Sequence, residues 1–212
     1  DRSGEVSLSA DGSVLAIGSF YNDGNGSNSG NVRVYKNIAG IWTQIGVDID
    51  GEITGDQSGF STALSADGSI LAVGANFNDG NGSNSGHVRV YKNISNTWTQ
   101  IGLDIDGEAL EDNSGNSVSL SADGNILAVG AQSNDANGSN SGHVRVYKNI
   151  AGIWTQIGVD INGEAINDYF GQHISLSSNG SVLAVGAEAN DVNGTTSGQV
   201  RVFDLSSVLS NS

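Results

Sequence analysis

LSADGSVLAIG, Leu8–Gly18, decides the fold. It reads as the heart of a β-hairpin: an alternating strand through Ser9, a turn at Ala10-Asp11-Gly12, and a return strand of small and branched apolar residues from Ser13 to Gly18. The stretch recurs as LSADGSILAVG at Leu64–Gly74, LSADGNILAVG at Leu120–Gly130 and LSSNGSVLAVG at Leu176–Gly186, each 56 residues after the last. Self-similarity at a fixed period settles architecture before any single motif is weighed.

Working outward, the flanks repeat with the same period. NDGNGSNSG at Asn22–Gly30 returns at Asn78–Gly86, as NDANGSNSG at Asn134–Gly142 and as NDVNGTTSG at Asn190–Gly198. VRVYKNIAGIWTQIGVDIDGE at Val32–Glu52 returns twice, and its fourth copy breaks off after Val200–Phe203. Asn31–Lys36 is a β-branched strand, Asn37–Gly40 carries turn residues, and Trp42–Asp50 is predicted as a fourth strand with Thr43, Ile45, Val47 and Ile49 on one face. No segment has helical periodicity and proline is absent. Four short strands per unit predict an all-β fold, a β-propeller of four antiparallel strands per blade with the last blade incomplete. The blades run about 1–55, 56–111, 112–167 and 168–203 as a single array, with 204–212 as a tail.

The net charge of −15 arises from 23 acidic and eight basic residues. Such a surface repels nucleic acid and anionic lipid, leaving cations and proteins as partners. Seven of the eight basic residues recur in register: Arg33, Lys36, Arg89, Lys92, Arg145, Lys148 and Arg201. With no cysteine, disulfides and thiol chemistry are excluded. Apolar runs are far shorter than a membrane span, so no membrane insertion is expected.

The order Ser58-Gly59, then Leu71-Ala72-Val73-Gly74-Ala75, then Ser85-Gly86-His87-Val88-Arg89-Val90-Tyr91 resembles the FG-GAP repeat. Phe170-Gly171 supplies the aromatic-glycine pair in the last copy, and Gly74-Ala75-Asn76 stands where the family has Gly-Ala-Pro. The resemblance covers all four units and implies a propeller of the kind found in integrin α-chains and secreted bacterial repeat proteins. It departs from the family at the calcium loop, reduced here to Ala66-Asp67-Gly68 and its equivalents. One carboxylate on so short a turn does not supply the six to eight oxygens that calcium takes, so the family's calcium sites are not carried over.

The Asn22–Gly30 loop is tested against two binding chemistries. Its glycines precede a strand rather than a helix, unlike a dinucleotide loop, and counting from Asp23 the sixth and twelfth positions of an EF-hand hold Asn28 and Val34. It reads as a polar connector. The metal candidates are the acidic ends of the fourth strands, Asp48, Asp50 and Glu52 and then Asp104, Asp106 and Glu108, since residues two apart on a strand share a face. The competing reading pairs these carboxylates with Arg33, Arg89 and Arg145, at a cost of no more than about 1 kcal/mol for Arg89→Ala if the pair is exposed. Trp42, Trp98 and Trp154 are blade-packing anchors or, alternatively, sugar-stacking platforms. No catalytic motif is present, and His87 and His143 become Asn31 and Gln199 in sister units. The residues that break the repeat are Phe20, Tyr21, Phe77, Glu111, Tyr169, Phe170, His173 and Glu188.

Near-identical repeats present identical groups, whereas acid-base catalysis needs differentiated ones. The expected function is therefore a non-catalytic, secreted or cell-surface scaffold for protein or glycan, adhesion-like, with no cofactor. The alternative is a propeller-type enzyme acting on glycans near the axis. Fifteen strands are counted, and neither end supplies the one that would zip first blade to last. Self-association or continuation into further blades is thus expected. The tail from Asp204 weakly resembles the spacer before a type IX sorting domain of bacterial surface proteins.

Overall fold

The computed structural model describes residues 2–210; Asp1, Asn211 and Ser212, at the outer ends of the first linker and the tail, lie outside the described residues. Each repeat is one antiparallel sheet. The first holds β1 (Glu5–Leu8), β2 (Val14–Ser19), β3 (Asn31–Ile38), β4 (Ile41–Gln44) and the two-residue β5 (Ile49–Asp50). The second holds β6 (Ser61–Leu64), β7 (Ile70–Ala75), β8 (His87–Ile94), β9 (Thr97–Gln100) and β10 (Ile105–Asp106). The third holds β11 (Ser117–Leu120), β12 (Ile126–Ala131), β13 (His143–Ile150), β14 (Ile153–Gln156) and β15 (Ile161–Asn162). The fourth holds β16 (His173–Leu176), β17 (Val182–Ala187) and β18 (Gln199–Asp204), followed by the short helix α1 (Ser206–Ser210).

Register repeats from sheet to sheet, with Glu5, Ser61, Ser117 and His173 each opposite the glycine that ends the small-residue strand. One expectation needs correction. The fourth strand is not continuous: β3 pairs β4 through its second half and β5 through its first, so the described residues hold eighteen strands rather than fifteen. The cause is Gly46, at φ +79°, with Gly102 and Gly158 at its place in the next two blades. The left-handed turn carries the chain outward between two buried anchors, Ile45 and Ile49, and leaves Val47 82% exposed rather than on one face with them.

The inner strands β1, β6, β11 and β16 stand side by side, and each blade lays one face on the next. Val14, Ile70 and Ile126 fit against Gly68, Gly124 and Gly180, where any Cβ would collide with the branched side chain. Around these contacts Val32, Val34, Val88, Val90, Val144 and Val146 are buried against Leu71, Val73, Leu127, Val129, Leu183 and Val185. Each such side chain contributes about 1.5–3 kcal/mol by leaving water. Polar ties run across the same joints. Ala10, Ala66 and Ala122 donate their N–H groups to the carbonyls of Ala66, Ala122 and Ser178 in turn. The Trp98 and Trp154 indoles donate to the carbonyls of Ile45 and Ile101 at 3.1 Å. These two tryptophans are blade-packing anchors.

The fourth blade lacks the tryptophan strand, and α1 stands in its place. Leu205 is buried, and Val208 lies over Gly158 where Trp98 and Trp154 lie over Gly46 and Gly102.

Candidate functional site

The asparagine-rich loops spend their polar groups on their own backbone and on the chain segments beside them. The Asn22 side-chain oxygen accepts the Gly24 N–H and the Asp23 carboxylate accepts the Asn28 N–H, both at 2.8 Å, while the Asn25 amide donates to the carbonyls of Gly51 and Glu52 at 2.9 Å. Asn28, at φ +54°, takes the left-handed conformation that asparagine tolerates. The hairpin turn behaves the same way: the Asp67 carboxylate accepts the Ser65 hydroxyl at 2.7 Å and the Ser69 N–H at 2.9 Å. Both loops are connectors whose acidic groups already hold backbone in place.

The acidic strand ends meet across blades rather than along one strand. Asp48 stays with its own blade, accepting from Arg33 Nε at 2.8 Å, Gln44 at 2.7 Å and Asn31 at 3.1 Å. Glu52 instead reaches the second blade, where its carboxylate, His87 and Asp104 bring ligand atoms within 4.8 Å of one another. Glu108, His143 and Asp160 repeat the group one blade on. Asp50 and Asp106 are exposed and stand outside both groups. The sequence reading placed no histidine here; the signal was that a unit's end must face the next unit's start in any stacked array.

A guanidinium occupies each group. Arg89 lies 3.4 Å from Glu52, and Arg145 Nε lies 3.2 Å from Asp160 while its Nη2 contacts Glu108. A divalent ion would compete with an arginine already paired there. Arg89 and Arg145 are each only 8% exposed, unlike Arg33, while their carboxylate partners stay open to water: Glu52 is 47%, Glu108 45% and Asp160 29% exposed at the side chain.

His87 is 1% exposed, and burial together with the Arg89 charge lowers its pKa to about 4 from the ordinary 6.5, with Asp104 opposing. Below pH 6.5 the unfolded chain takes up a proton at His87 that the folded chain refuses until about pH 4. Stability therefore falls as pH drops through that window, by about 1.4 kcal/mol per unit for one such group. His143 is shifted in the same direction by its burial. His87→Asn, which installs the first blade's residue, is expected to reduce the acid-induced loss in urea unfolding between pH 7 and pH 4.5. An equal loss in the variant would refute the assignment.

Two other features differ in kind. At one end of the inner strands, a cavity of about 470 Å³ is lined by Glu5, Phe20, Phe60, Thr62, Gln172 and His173 among others. Phe20 and Phe60 pack with centroids 5.3 Å apart. Burial pushes the Glu5 carboxyl up, and the His173 charge partly offsets it. Thr62 Oγ1 and Gln172 Oε1 are buried without a protein partner. Phe20 and His173 are thus repeat-breaking residues gathered at the axis. Phe170 is not: it is buried beneath Arg201, whose guanidinium lies 5.0 Å from its ring.

The second feature is the outer rim. Val47, Leu103 and Val159, the residues thrown outward by the glycine turns, are 82%, 88% and 84% exposed. Ile38, Ile94 and Ile150 are exposed on the neighbouring strands, as are Ile41 and Ile153. Between the second and third blades, Leu103, Ile105, Ile153 and Trp154 line a cleft of about 400 Å³.

Stacked antiparallel sheets about an axis, tied by inter-blade glycines and tryptophans, define a β-propeller repeat array. Residues 103–147 and 162–203 match the FG-GAP repeat, and the rest of the chain copies the same unit at the 56-residue period. Among curated proteins none matches. Solved propellers do. A provisionally assigned 6-phosphogluconolactonase of Bacteroides uniformis superposes with TM-score 0.64 at 14% identity over 96% of this chain and 50% of its own. The periplasmic gluconolactonase PpgL of Pseudomonas aeruginosa gives 0.58 at 17% over 95% and 57%, and TolB of Acinetobacter baumannii gives 0.55 at 14% over 98% and 42%. The chain spans about half the length of these structures, and the likeness is one of fold. No helix among the described residues is long and apolar enough to cross a membrane.

Proposed function

We propose that this protein is a non-catalytic interaction scaffold, secreted or displayed at the cell surface, whose rim engages a protein or glycan partner at several equivalent points. The observation that carries this reading is the 56-residue recurrence of exposed Val47, Leu103 and Val159. A rigid array that repeats one weak apolar contact gains avidity without any single strong site. The acidic surface disfavours nucleic acid and anionic membranes as the partner. The extracellular setting rests on the FG-GAP resemblance.

The enzymatic alternative has less support. Glycoside hydrolysis in its usual form draws on two carboxyl groups, and the axial cavity is lined by one, Glu5. Arrays of extracellular proteins and glycans, probed with the wild type and with a Val47→Asp, Leu103→Asp, Val159→Asp triple variant, test the reading. Because the three side chains contact mostly solvent, the variant is expected to keep its melting temperature and lose at least about tenfold in apparent affinity. Unchanged binding would remove the rim from the function, and turnover of an arrayed glycan would remove the non-catalytic assignment.

A further inference from the structure

The repeats differ where their inner edges meet at the axis. Phe60, Asn116 and Gln172 hold one equivalent position and Phe20 and Gln132 another, and all five line the cavity of about 470 Å³ there. A purely structural ring would use one residue at each place, as the buried joints of this protein do. A single molecule on the axis meets each blade from a different side and calls for different groups. The volume lies within the range of about 300–1,000 Å³ usual for small-molecule sites.

Glu5 is the most telling departure. Its equivalents Ser61 and Ser117 donate their hydroxyls across a joint, to the carbonyls of Gly115 and Gly171 at 2.7 and 2.6 Å, and so tie each blade to the next. At the first joint the corresponding carbonyl is that of Gly59, and a carboxylate has no proton to give it. Among the described residues only the His173 charge offsets the partial burial of Glu5, and no hydrogen bond does. Thr62 stands where Val118 and Ile174 stand in the later blades. Thr62 Oγ1 and Gln172 Oε1 have no protein partner, so no hydrogen bond from these atoms holds either side chain in its rotamer, and each can turn to a bound molecule. Phe20 and Phe60, packed edge to face, supply an apolar wall.

This lining accepts at a carboxylate, donates and accepts at amides, and does both at a hydroxyl, beside aromatic rings. A hydroxyl-rich ring matches it: its hydroxyls donate to Glu5 and Gln172 Oε1, accept from an amide or from Thr62, and leave C–H faces for the phenylalanines. A simple amine has donors alone and would leave the amide N–H groups of Gln132 and Gln172 unanswered, while an anion would meet Glu5.

We propose that the axial mouth binds, without cleaving, a polyhydroxylated ring, either a free monosaccharide or the end of a glycan, held by Glu5, Thr62 and Gln172 against Phe20 and Phe60. Each of the three joints that supply these groups has both of its blades among the described residues. The site is separate from the apolar rim and does not rest on it.

Saturation-transfer NMR and calorimetry on the whole chain test the proposal, with glucose, galactose, mannose, N-acetylglucosamine and their short oligomers as probes and putrescine as the amine. The expected result is saturable binding of at least one hydroxylated probe, kept in the Val47→Asp, Leu103→Asp, Val159→Asp variant and weakened at least about tenfold in Glu5→Ser and in Phe60→Asn. Preference for oligomers over monomers would identify a glycan end, and equal affinity a free sugar. Glu5→Ser restores the residue of the second and third blades, whose hydroxyl can donate to the Gly59 carbonyl. The variant is therefore expected to unfold at higher urea than the wild type, opposite in sign to the loss of a structural group. Binding of putrescine alone, no saturable binding of a hydroxylated probe at millimolar concentration, or full affinity in Glu5→Ser would overturn the proposal. So would a Glu5→Ser chain less stable than the wild type, which would assign Glu5 to the fold, or loss of the sugar in the rim variant, which would move the site to the rim.

Discussion

Gly74→Ala is expected to cost about 4 kcal/mol or more, or to prevent folding, while Gly186→Ala at the same place in the fourth blade changes stability by no more than about 1 kcal/mol. The two glycines end the same LAVG motif and share the same register. A methyl group on Gly74 would sit inside the van der Waals shells of the Gly115 carbonyl and the Ser61 hydroxyl, and the carbonyl belongs to the next blade's backbone. A hydroxyl can rotate away, but the Gly115 carbonyl is backbone, held through the neighbouring Gly115 N–H bond to Gly130, and does not yield without parting the blades. At Gly186 the nearest atom to an added Cβ is the His173 carbonyl oxygen at 3.6 Å, an ordinary contact. Alanine there also loses less chain entropy on folding than glycine does. Urea unfolding followed by circular dichroism separates the two cases. Equal destabilisation of both variants would mean that the fourth blade's face is covered, and comparable tolerance would mean that the blades are looser than described.

The second large effect is at arginine. Arg145→Ala is expected to cost about 1.5–3 kcal/mol, since the guanidinium is buried but its carboxylates reach water, and Arg33→Ala less than about 1 kcal/mol. Arg145 is 8% exposed and reaches two carboxylates, Asp160 on its own blade and Glu108 on the preceding one. Removing it leaves both acids facing each other beside His143 with no cation between them. Arg33 meets Asp48 at 2.8 Å, but its side chain is 36% exposed, and water replaces most of what the pair provides. Loss of the Glu108 contact alone, through Glu108→Gln, is expected to fall between the two. Chemical denaturation at neutral pH measures all three; a loss at Arg145 no larger than at Arg33 would show that solvent screens the inner joints as it does the rim.

Much of this protein is legible in its sequence because the period does the reading. Four copies of the LSADG hairpin and of the VRVY strand fix an all-β blade, its inner strands and its turns, since hairpin chemistry at Asp-Gly and β-branched alternation are local properties. The turns within the Asn22–Gly30 loop were legible for the same reason, since Asn22 and Asp23 bond backbone a few residues on, whereas its carbonyls at Asn28 and Ser29 accept from Gln57 and Ser58 of the next unit. Three features were decided elsewhere. The alternation of Trp42–Asp50 predicted Val47 on one face with Ile45 and Ile49, but the left-handed Gly46 separates them, and the side chain packed over that glycine comes from outside its blade: Trp98 over Gly46, Trp154 over Gly102 and Val208 over Gly158. The acidic ends suggested a cluster along one strand, yet Glu52 and Glu108 pair forward with the next blade's arginine while Asp48 and Asp160 pair within their own blade. Finally, identical motifs at Gly74 and Gly186 have opposite tolerances, and identical valines at Val88 and Val200 are buried and bare. Sequence determines what each blade is, through interactions that reach a few residues; burial, charge pairing and steric limits are set by which blade stands next to it, and only the tertiary structure supplies that neighbour.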